Sequence, residues 1–141
     1  MGNFITLTPH PITIELPKRG QVSQPLWTVV NISGYDILDL ELGMLFLTAK
    51  VTAKVFIDTS MQNQSDSIGS GDGGDWQIAG HFPNEIVGSP NALPKPQWQK
   101  LNIASGFTSQ SLLKFVRWRV SLSEAGTATL FIRGLARCWG R

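Results

Sequence analysis

The sequence predicts an all-β protein, an antiparallel β-sandwich of about eight strands with jelly-roll topology and an extended N-terminal arm. Runs in which apolar and polar residues alternate recur along the chain, and turn signals separate them. Charged residues make up only 16% of the chain, whereas the outer faces of a helical bundle need many Lys and Glu. The 14 glycines and eight prolines supply the turns that many short strands require.

The domain organisation predicted is a single β-sandwich over residues 1–141, a length that can bury a proper core. Residues 1–25 are predicted to form an arm or edge strands. Pro9 and Pro11 interrupt this segment, and proline donates no hydrogen bond to a β ladder. Residues 61–75 are rich in Gly, Ser and Asp and predict a flexible loop.

The middle of the chain carries several β-rich runs. In residues 37–47 the leucines alternate with acidic residues, and Gly43 weakens a helical interpretation. In residues 50–57 the apolar side chains share one face and the Lys and Thr side chains share the other. Shorter strands are predicted at residues 26–32, 76–79 and 97–103.

A C-terminal hairpin is predicted over residues 112–137. Two alternating runs flank Glu124-Ala125-Gly126, and glycine suits the left-handed position of such a three-residue loop. The register set by this loop pairs Val120 with Leu130 and Trp118 with Ile132. Every apolar side chain then lies on one face, a match that a slip of one residue would destroy.

The outer face of this hairpin predicts a surface that binds a partner. The register sets Arg117 opposite Arg133, which is unfavourable in an isolated ladder, and Arg119 opposite Phe131, which allows a cation–π contact. Arginine with aromatic and aliphatic anchors is typical of protein interfaces. An equally weighted alternative is that the N-terminal segment or an acidic side chain of the same subunit covers this face. The predicted surface comprises Phe4, Ile5, Phe115, Arg117, Arg119, Phe131, Arg133 and Leu135.

Nothing in the sequence predicts an enzyme, a metal site or a cofactor. His10 and His81 are the only histidines, and neither has a catalytic motif beside it. Cys138 is the single cysteine and is interpreted as a small apolar residue. The glycine-rich stretch 69–75 lacks the spacing of a calcium loop, and no Gly-Lys-Ser/Thr of a phosphate loop is present.

The charges are unevenly distributed. Residues 1–94 hold four of the 12 basic side chains and nine of the 10 acidic ones, so the last third of the chain is basic. This asymmetry fits an anionic partner or, more simply, neutralisation within the fold. Nucleic acid is disfavoured because no binding motif or Lys/Arg run is present. A membrane partner is disfavoured too, because no apolar run is long enough to cross one.

Five tryptophans are many for this length. Most strand tryptophans fill a core, but some stack on sugar rings. Trp76 and Trp98 flank irregular stretches and are the candidates for sugar stacking. They keep an alternative function open, a carbohydrate-binding β-sandwich module of a fibre or adhesin.

The chain resembles a known family most closely in two alternating runs, Phe115-Val116-Arg117-Trp118 to Leu122 and Gly126-Thr127-Ala128-Thr129-Leu130-Phe131-Ile132. Together with the interrupted arm and the long loops, these runs resemble the small jelly-roll cement, or decoration, proteins of tailed bacteriophage capsids. The likeness spans the architecture and includes no residue signature. It implies a structural virion protein at the capsid surface, assembled in the host cytoplasm. Implied partners are the major capsid protein and copies of itself, as a dimer or trimer, with no small-molecule substrate.

Overall fold

The computed structural model describes residues 2–62, 76–82, 86–88, 97–104 and 112–138. These residues form two antiparallel sheets packed face to face, which confirms the predicted all-β sandwich. Apart from a short 3-10 turn at Leu26–Thr28, the regular elements are strands. They are β1 (Gly2–Thr6), β2 (Ile12–Leu16), β3 (Gly20–Ser23), β4 (Val30–Asn31), β5 (Ile37–Leu47), β6 (Thr52–Ser60), β7 (Gln77–His81), β8 (Ile86–Val87), β9 (Gln97–Ala104), β10 (Phe115–Leu122) and β11 (Gly126–Arg137).

Sheet A has the strand order β1-β11-β5-β9, and β2 also pairs with β11. β1 lies along the C-terminal half of β11 and β2 along its N-terminal half, so the two share one edge. The chain leaves the ladder between them at Pro9 and Pro11, which have no N–H to donate. The buried Thr8 anchors the break, since its hydroxyl accepts a 3.0 Å hydrogen bond from the N–H of Ile132.

Sheet B has the strand order β3-β10-β6-β7. The two-residue strands β4 and β8 extend it, because β4 pairs with the start of β10 and β8 with the start of β6. Residues 2–23 therefore supply edge strands to both sheets, β1 and β2 to sheet A and β3 to sheet B. Short strands such as β4 and β8 raise the number above the eight or so that alternation alone indicates.

The core lies between the sheets and is built from the inward side chains of alternating strands. In β5 every second residue from Leu38 to Met44 is buried, and in β6 the same holds from Ala53 to Ile57. Burying these side chains is the main favourable term in folding. The largest contributions from β10 and β11 are Val116, Trp118, Val120, Leu122, Leu130 and Ile132.

The predicted pairing of the C-terminal hairpin is wrong. Val120 in β10 pairs with Val55 in sheet B, whereas Leu130 in β11 pairs with Met44 in sheet A. Residues 123–125 carry the chain from one sheet to the other. The apolar faces of β10 and β11 therefore pack against each other across the core. The alternation of apolar and polar residues is the same as it would be if the two strands were paired in one sheet.

Two further predictions concern the chain around this core. Residues 63–75 of the predicted flexible loop lie outside the described residues. The single-domain organisation and the jelly-roll connectivity stay predictions, since the described strands establish a two-sheet sandwich and no more.

Candidate functional site

The outer face of sheet A gathers part of the predicted partner-binding surface. Phe131, Arg133 and Leu135 alternate with buried residues along β11 and so point away from the core. Phe4 lies on the same face, opposite Leu135 on the neighbouring strand. Ile5 points the other way and packs partly against the core.

Arg117 and Arg119 are not part of an exposed surface, contrary to prediction. They lie on β10 in the other sheet and are only 0% and 5% exposed. Both Nε atoms donate hydrogen bonds to Oδ2 of Asp58 on β6, at 3.1 and 2.9 Å. An acidic side chain of the same subunit therefore engages these arginines, which was the open alternative. Phe115, at the start of β10, is on sheet B as well and is half-buried.

Aromatic rings complete the surroundings of the two arginines. The guanidinium of Arg117 lies 4.5 Å from the ring centre of Trp76, and that of Arg119 lies 4.1 Å from Phe56. Both distances are within the range of cation–π attraction. Trp76 is fully buried, so its ring is closed to a sugar. Its prediction as a candidate for sugar stacking is therefore wrong.

An aromatic pair on sheet A is built around Gly43. Trp98 and Phe131 lie opposite this glycine on its two neighbouring strands. Their ring centres are 5.1 Å apart at an angle of 80°, an edge-to-face contact. A Cβ on Gly43 would lie only 2.7 Å from Cε1 of Phe131, so the absent side chain is what lets the rings settle over the strand. Trp98 remains 48% exposed.

Charged side chains form two parallel rows beside the aromatic pair. Arg133 donates to Glu41 at 3.1 Å, and Arg137 donates to Asp39 at 2.8 Å. The bases stand on β11 and the acids on β5, the two central strands of sheet A. The guanidinium of Arg133 also lies 5.4 Å from the Phe131 ring and 5.8 Å from the Trp98 ring.

The pKa of Asp39 reflects its place in these rows. Partial burial acts to raise the pKa of this carboxyl, but two hydrogen bonds and a nearby charge outweigh it. The bonds come from Arg137 and Asn102, and the charge is that of Arg137. The pKa is therefore held below its ordinary value, and the carboxylate stays ionised to lower pH.

A shallow groove of about 950 Å³ crosses sheet A at the level of these rows. Three consecutive residues from each of β1, β11, β5 and β9 line it. Phe4 lines the groove and has 88% of its surface exposed. The side chains that give the groove its chemistry are Phe4, Asp39, Glu41, Lys100, Asn102 and Arg133.

The ring nitrogens of the two histidines contact backbone. Nδ1 of His10 is bonded to the carbonyl of Pro11 and Nδ1 of His81 to that of Phe82, so each ring engages backbone. The described residues contain no group of three or more His, Cys, Asp or Glu able to hold a metal ion. They also contain no helix long and apolar enough to cross a membrane. The thiol of Cys138 donates to the carbonyl of Gly34 at 2.9 Å.

Some residues of these clusters were missed in the sequence. Asp58 is an acid on the outward side of a β-rich strand, and Gly43 is a glycine inside a strand, a pattern that marks close approach of neighbours. In the sequence, Asp39 and Glu41 are distinguished only by their alternation with leucines. Since their partners are far along the chain, the pattern within one strand could not reveal them.

No protein-family model matches the chain, and no curated protein matches its sequence.

Proposed function

We propose that this chain is a structural virion protein, a capsid cement protein that binds and stabilises a bacteriophage head shell through protein–protein contacts. The observation that carries the proposal is the exposed cluster of Trp98, Phe131 and Arg133 on the outer face of sheet A. Aromatic and arginine side chains dominate the binding energy of many protein interfaces. Jelly-roll connectivity, a location on the capsid surface and non-enzymatic action belong to the same proposal.

Contacts within the cluster support a binding role. The two rings contact each other over Gly43, and Arg133 is paired with Glu41, so part of the conformational freedom of these side chains is already restricted. A preordered surface loses less side-chain entropy on binding. Phe4 and Phe46 extend the apolar area on the same face, with 88% and 38% of their surfaces exposed.

The proposal is tested on particles of the virus or prophage that encodes the chain. We expect mass spectrometry to find the chain in purified particles, in a fixed ratio to the major capsid protein. Purified chain added to shells that lack it should bind them and raise their temperature of disruption. Absence from the particle, together with failure to bind shells, would reject the proposal.

Matched variants test whether the outer face of sheet A is the surface that binds the shell. The Trp98→Ser and Phe131→Ser variants should bind shells about tenfold or more weakly, because interface aromatics contribute about 2 kcal/mol or more each. Trp27→Ser is the control, since Trp27 is 85% exposed and follows Leu26 in the short turn outside both sheets. Equal binding by all three variants would place the contact elsewhere.

A second candidate is the carbohydrate-binding module, and one observation favours it. The half-exposed ring of Trp98 stands beside a groove that offers both acceptors, such as Asp39, and donors, such as Asn102 and Lys100. Sugar sites combine a stacking ring with such polar groups. The carbohydrate-binding candidate is tested by titrating the chain with soluble cellohexaose, maltohexaose and chitohexaose, with tryptophan fluorescence as the readout. A saturable change lost in Trp98→Ser would favour this candidate.

A further inference from the structure

We infer that the groove across sheet A is the seat of an extended segment of the shell partner, one that presents an apolar side chain and a carboxylate four residues apart. The source of the segment rests on the proposed function, whereas its chemistry follows from the groove itself. Three properties of the groove support the inference: the order of side chains across the strands, the groups at its two ends and the distance between those ends.

The groove runs across the strands of sheet A rather than along them. Residues paired on neighbouring strands point to the same face of a sheet, so the strand pairs from β1 to β9 set the outward side chains in rows. The two rows in the groove are Thr6, Arg133, Glu41 and Lys100, and Phe4, Leu135, Asp39 and Asn102. A ligand that lies in the groove therefore meets all four strands in turn.

The side chains in the middle of the groove satisfy one another. Arg133 donates to Glu41 at 3.1 Å. Asn102 and Arg137 both donate to the carboxylate of Asp39. Each acid in the middle already has a base of the same chain, so a further charge there would find no opposite charge left for it. A neutral polar side chain suits this part of the groove, because it adds hydrogen bonds without a charge that needs a partner.

The two ends of the groove differ in character. At the β1 end the ring of Phe4 is 88% exposed, so an apolar side chain placed over it removes apolar surface from water. At the β9 end Lys100 is exposed and forms no ion pair with any residue that the structure describes. Its neighbour in the row is Glu41, whose carboxylate is bonded to Arg133. Since this row holds two bases and one acid, a carboxylate beside Lys100 completes its charge balance.

The distance between the two ends selects an extended polypeptide. Three steps of about 4.8 Å between strands separate β1 from β9, which gives about 14 Å. An extended chain advances about 3.3 Å per residue and points every second side chain to the same side, so side chains four residues apart lie together about 13 Å apart. The side chain midway between them then lies over the paired groups. An apolar, a neutral polar and an acidic residue at every second position therefore fit the groove, in either direction.

The groove is continuous with the aromatic cluster assigned to the shell. Trp98 precedes Lys100 by two residues on β9, and Phe131 precedes Arg133 by two residues on β11, so the ring pair lies beside the charged row on the same face. One partner therefore covers both: the rings supply apolar area, and the groove selects the sequence of the segment.

Designed peptides test the inference without shells. One peptide carries leucine-serine-threonine-serine-glutamate between glycine-serine flanks, a second has lysine in place of glutamate, and both are also made in reverse order. The whole isotope-labelled chain is titrated with each, and two-dimensional NMR follows the amides of Phe4 and Lys100. We expect the glutamate peptides to bind about fivefold or more tightly at low salt, because an attractive contact replaces a repulsive one. A peptide with glutamate three residues from leucine should bind as weakly as the lysine peptides.

Charge reversal assigns the preference to Lys100. The Lys100→Glu variant should prefer the lysine peptides by about fivefold or more, since the signs are then exchanged. Lys18→Glu is the matched control, because it makes the same change at an exposed position between β2 and β3, and it should keep the wild-type preference. Phe4→Ser should weaken both kinds of peptide by about fivefold, because the leucine loses its apolar contact. Circular dichroism verifies that each variant is folded.

The outcomes are separable. No saturable shift with any peptide at millimolar concentration, equal affinity for glutamate and lysine peptides, or an unchanged preference in Lys100→Glu would overturn the inference. A saturable response to the oligosaccharides in place of the peptides would overturn it in favour of a glycan occupant. If the peptides fail yet the chain binds shells, the segment fails and the proposed function stands. If Lys100→Glu reverses the peptide preference yet the chain is absent from particles and binds no shell, the proposed function fails and the segment-binding groove stands.

Discussion

Arg117 on β10 lies directly across from Asp58 on β6, and its Nε donates a 3.1 Å hydrogen bond to Oδ2 of that carboxylate. Arg119 donates to the same oxygen at 2.9 Å and, through Nη1, to Gln21 on β3 at 2.9 Å. Asp58 and Arg119 together thus link three strands of sheet B. Because Asp58 and Arg117 are fully buried, the contact belongs to the stability of the fold and is closed to a partner.

Replacing Asp58 should be severely destabilising. Asp58→Asn leaves the charges of Arg117 and Arg119 buried without their carboxylate, and removing one partner from a buried ion pair costs about 3–5 kcal/mol. We expect a loss of this size in the free energy of unfolding, measured with urea and tryptophan fluorescence.

The matched control for Asp58→Asn is Glu41→Gln. It breaks the pair with Arg133, in which the side chains are 60% and 30% exposed, and an exposed pair contributes about 0–1 kcal/mol. A loss below about 1 kcal/mol in Asp58→Asn would contradict the buried role.

Engineered disulfides distinguish the observed strand pairing from a β10–β11 hairpin. Ser121 is paired with Lys54 in sheet B, so cysteines at these two positions, in a Cys138→Ser background, should form a disulfide. In the hairpin register Ser121 would instead face Thr129. We expect no bridge between cysteines at 121 and 129, because packed sheets are about 10 Å apart and both side chains point outward. Mass spectrometry without reductant decides the pairing.

Two glycines of sheet A should differ in their tolerance of alanine. A Cβ on Gly134 would overlap the carbonyl oxygen of Asp39, which is backbone of the paired strand and cannot move without breaking the ladder. We expect Gly134→Ala to cost about 3 kcal/mol or more. Gly43→Ala meets the Phe131 ring at 2.7 Å, and that half-exposed ring can turn aside.

The expected cost of Gly43→Ala is therefore about 1 kcal/mol, the lower end for overpacking. Adding Phe131→Ala should remove part of this cost, since the nearest ring is then absent and only Cζ3 of Trp98, at 3.1 Å, still crowds the added methyl. Thermal melts of the variants and the double variant check the order. Equal losses in Gly43→Ala and Gly134→Ala would contradict the distinction between ring and backbone.

Acid should weaken the fold partly through Asp39. Its native pKa lies below the ordinary value of 3.8, so the unfolded chain takes up the proton first as pH falls. The stability that the carboxylate contributes is complete above the ordinary pKa and is lost as pH drops through the lowered native one.

Asp39→Asn should therefore lose less stability than wild type between neutral pH and about pH 2, in urea titrations at each pH. Glu124→Gln is the control, because Glu124 is exposed in the 123–125 connection. We expect the Asp39 effect to be small, since the pair with Arg137 is about 40% exposed and screened by solvent. An acid profile of Asp39→Asn identical to wild type would reject this assignment.

The sequence by itself determined the fold class and which side of each strand faces the core. Side chains alternate across a strand with a period of two, so the runs around Val55, Val120 and Leu130 predict their buried faces without knowledge of their neighbours. The strongly β-patterned segments are therefore found where alternation predicts them. The sequence also predicts a connection between two strands at Glu124-Ala125-Gly126, with Gly126 in a left-handed turn. The connection lies at residues 123–125, and Gly126 is instead the first residue of β11, without a positive φ.

Only the tertiary structure decided which strand each face meets. Two successive strands can bury their apolar faces in either of two ways. They can pair side by side in one sheet, or they can belong to two sheets whose apolar faces pack against each other across the core. A short connection suits both arrangements. The choice depends on contacts far apart in sequence, such as Val120 with Val55 and Arg117 with Asp58. That choice buried two arginines predicted to bind a partner, and it brought Trp98 beside Phe131 and Arg133, three residues no local pattern unites.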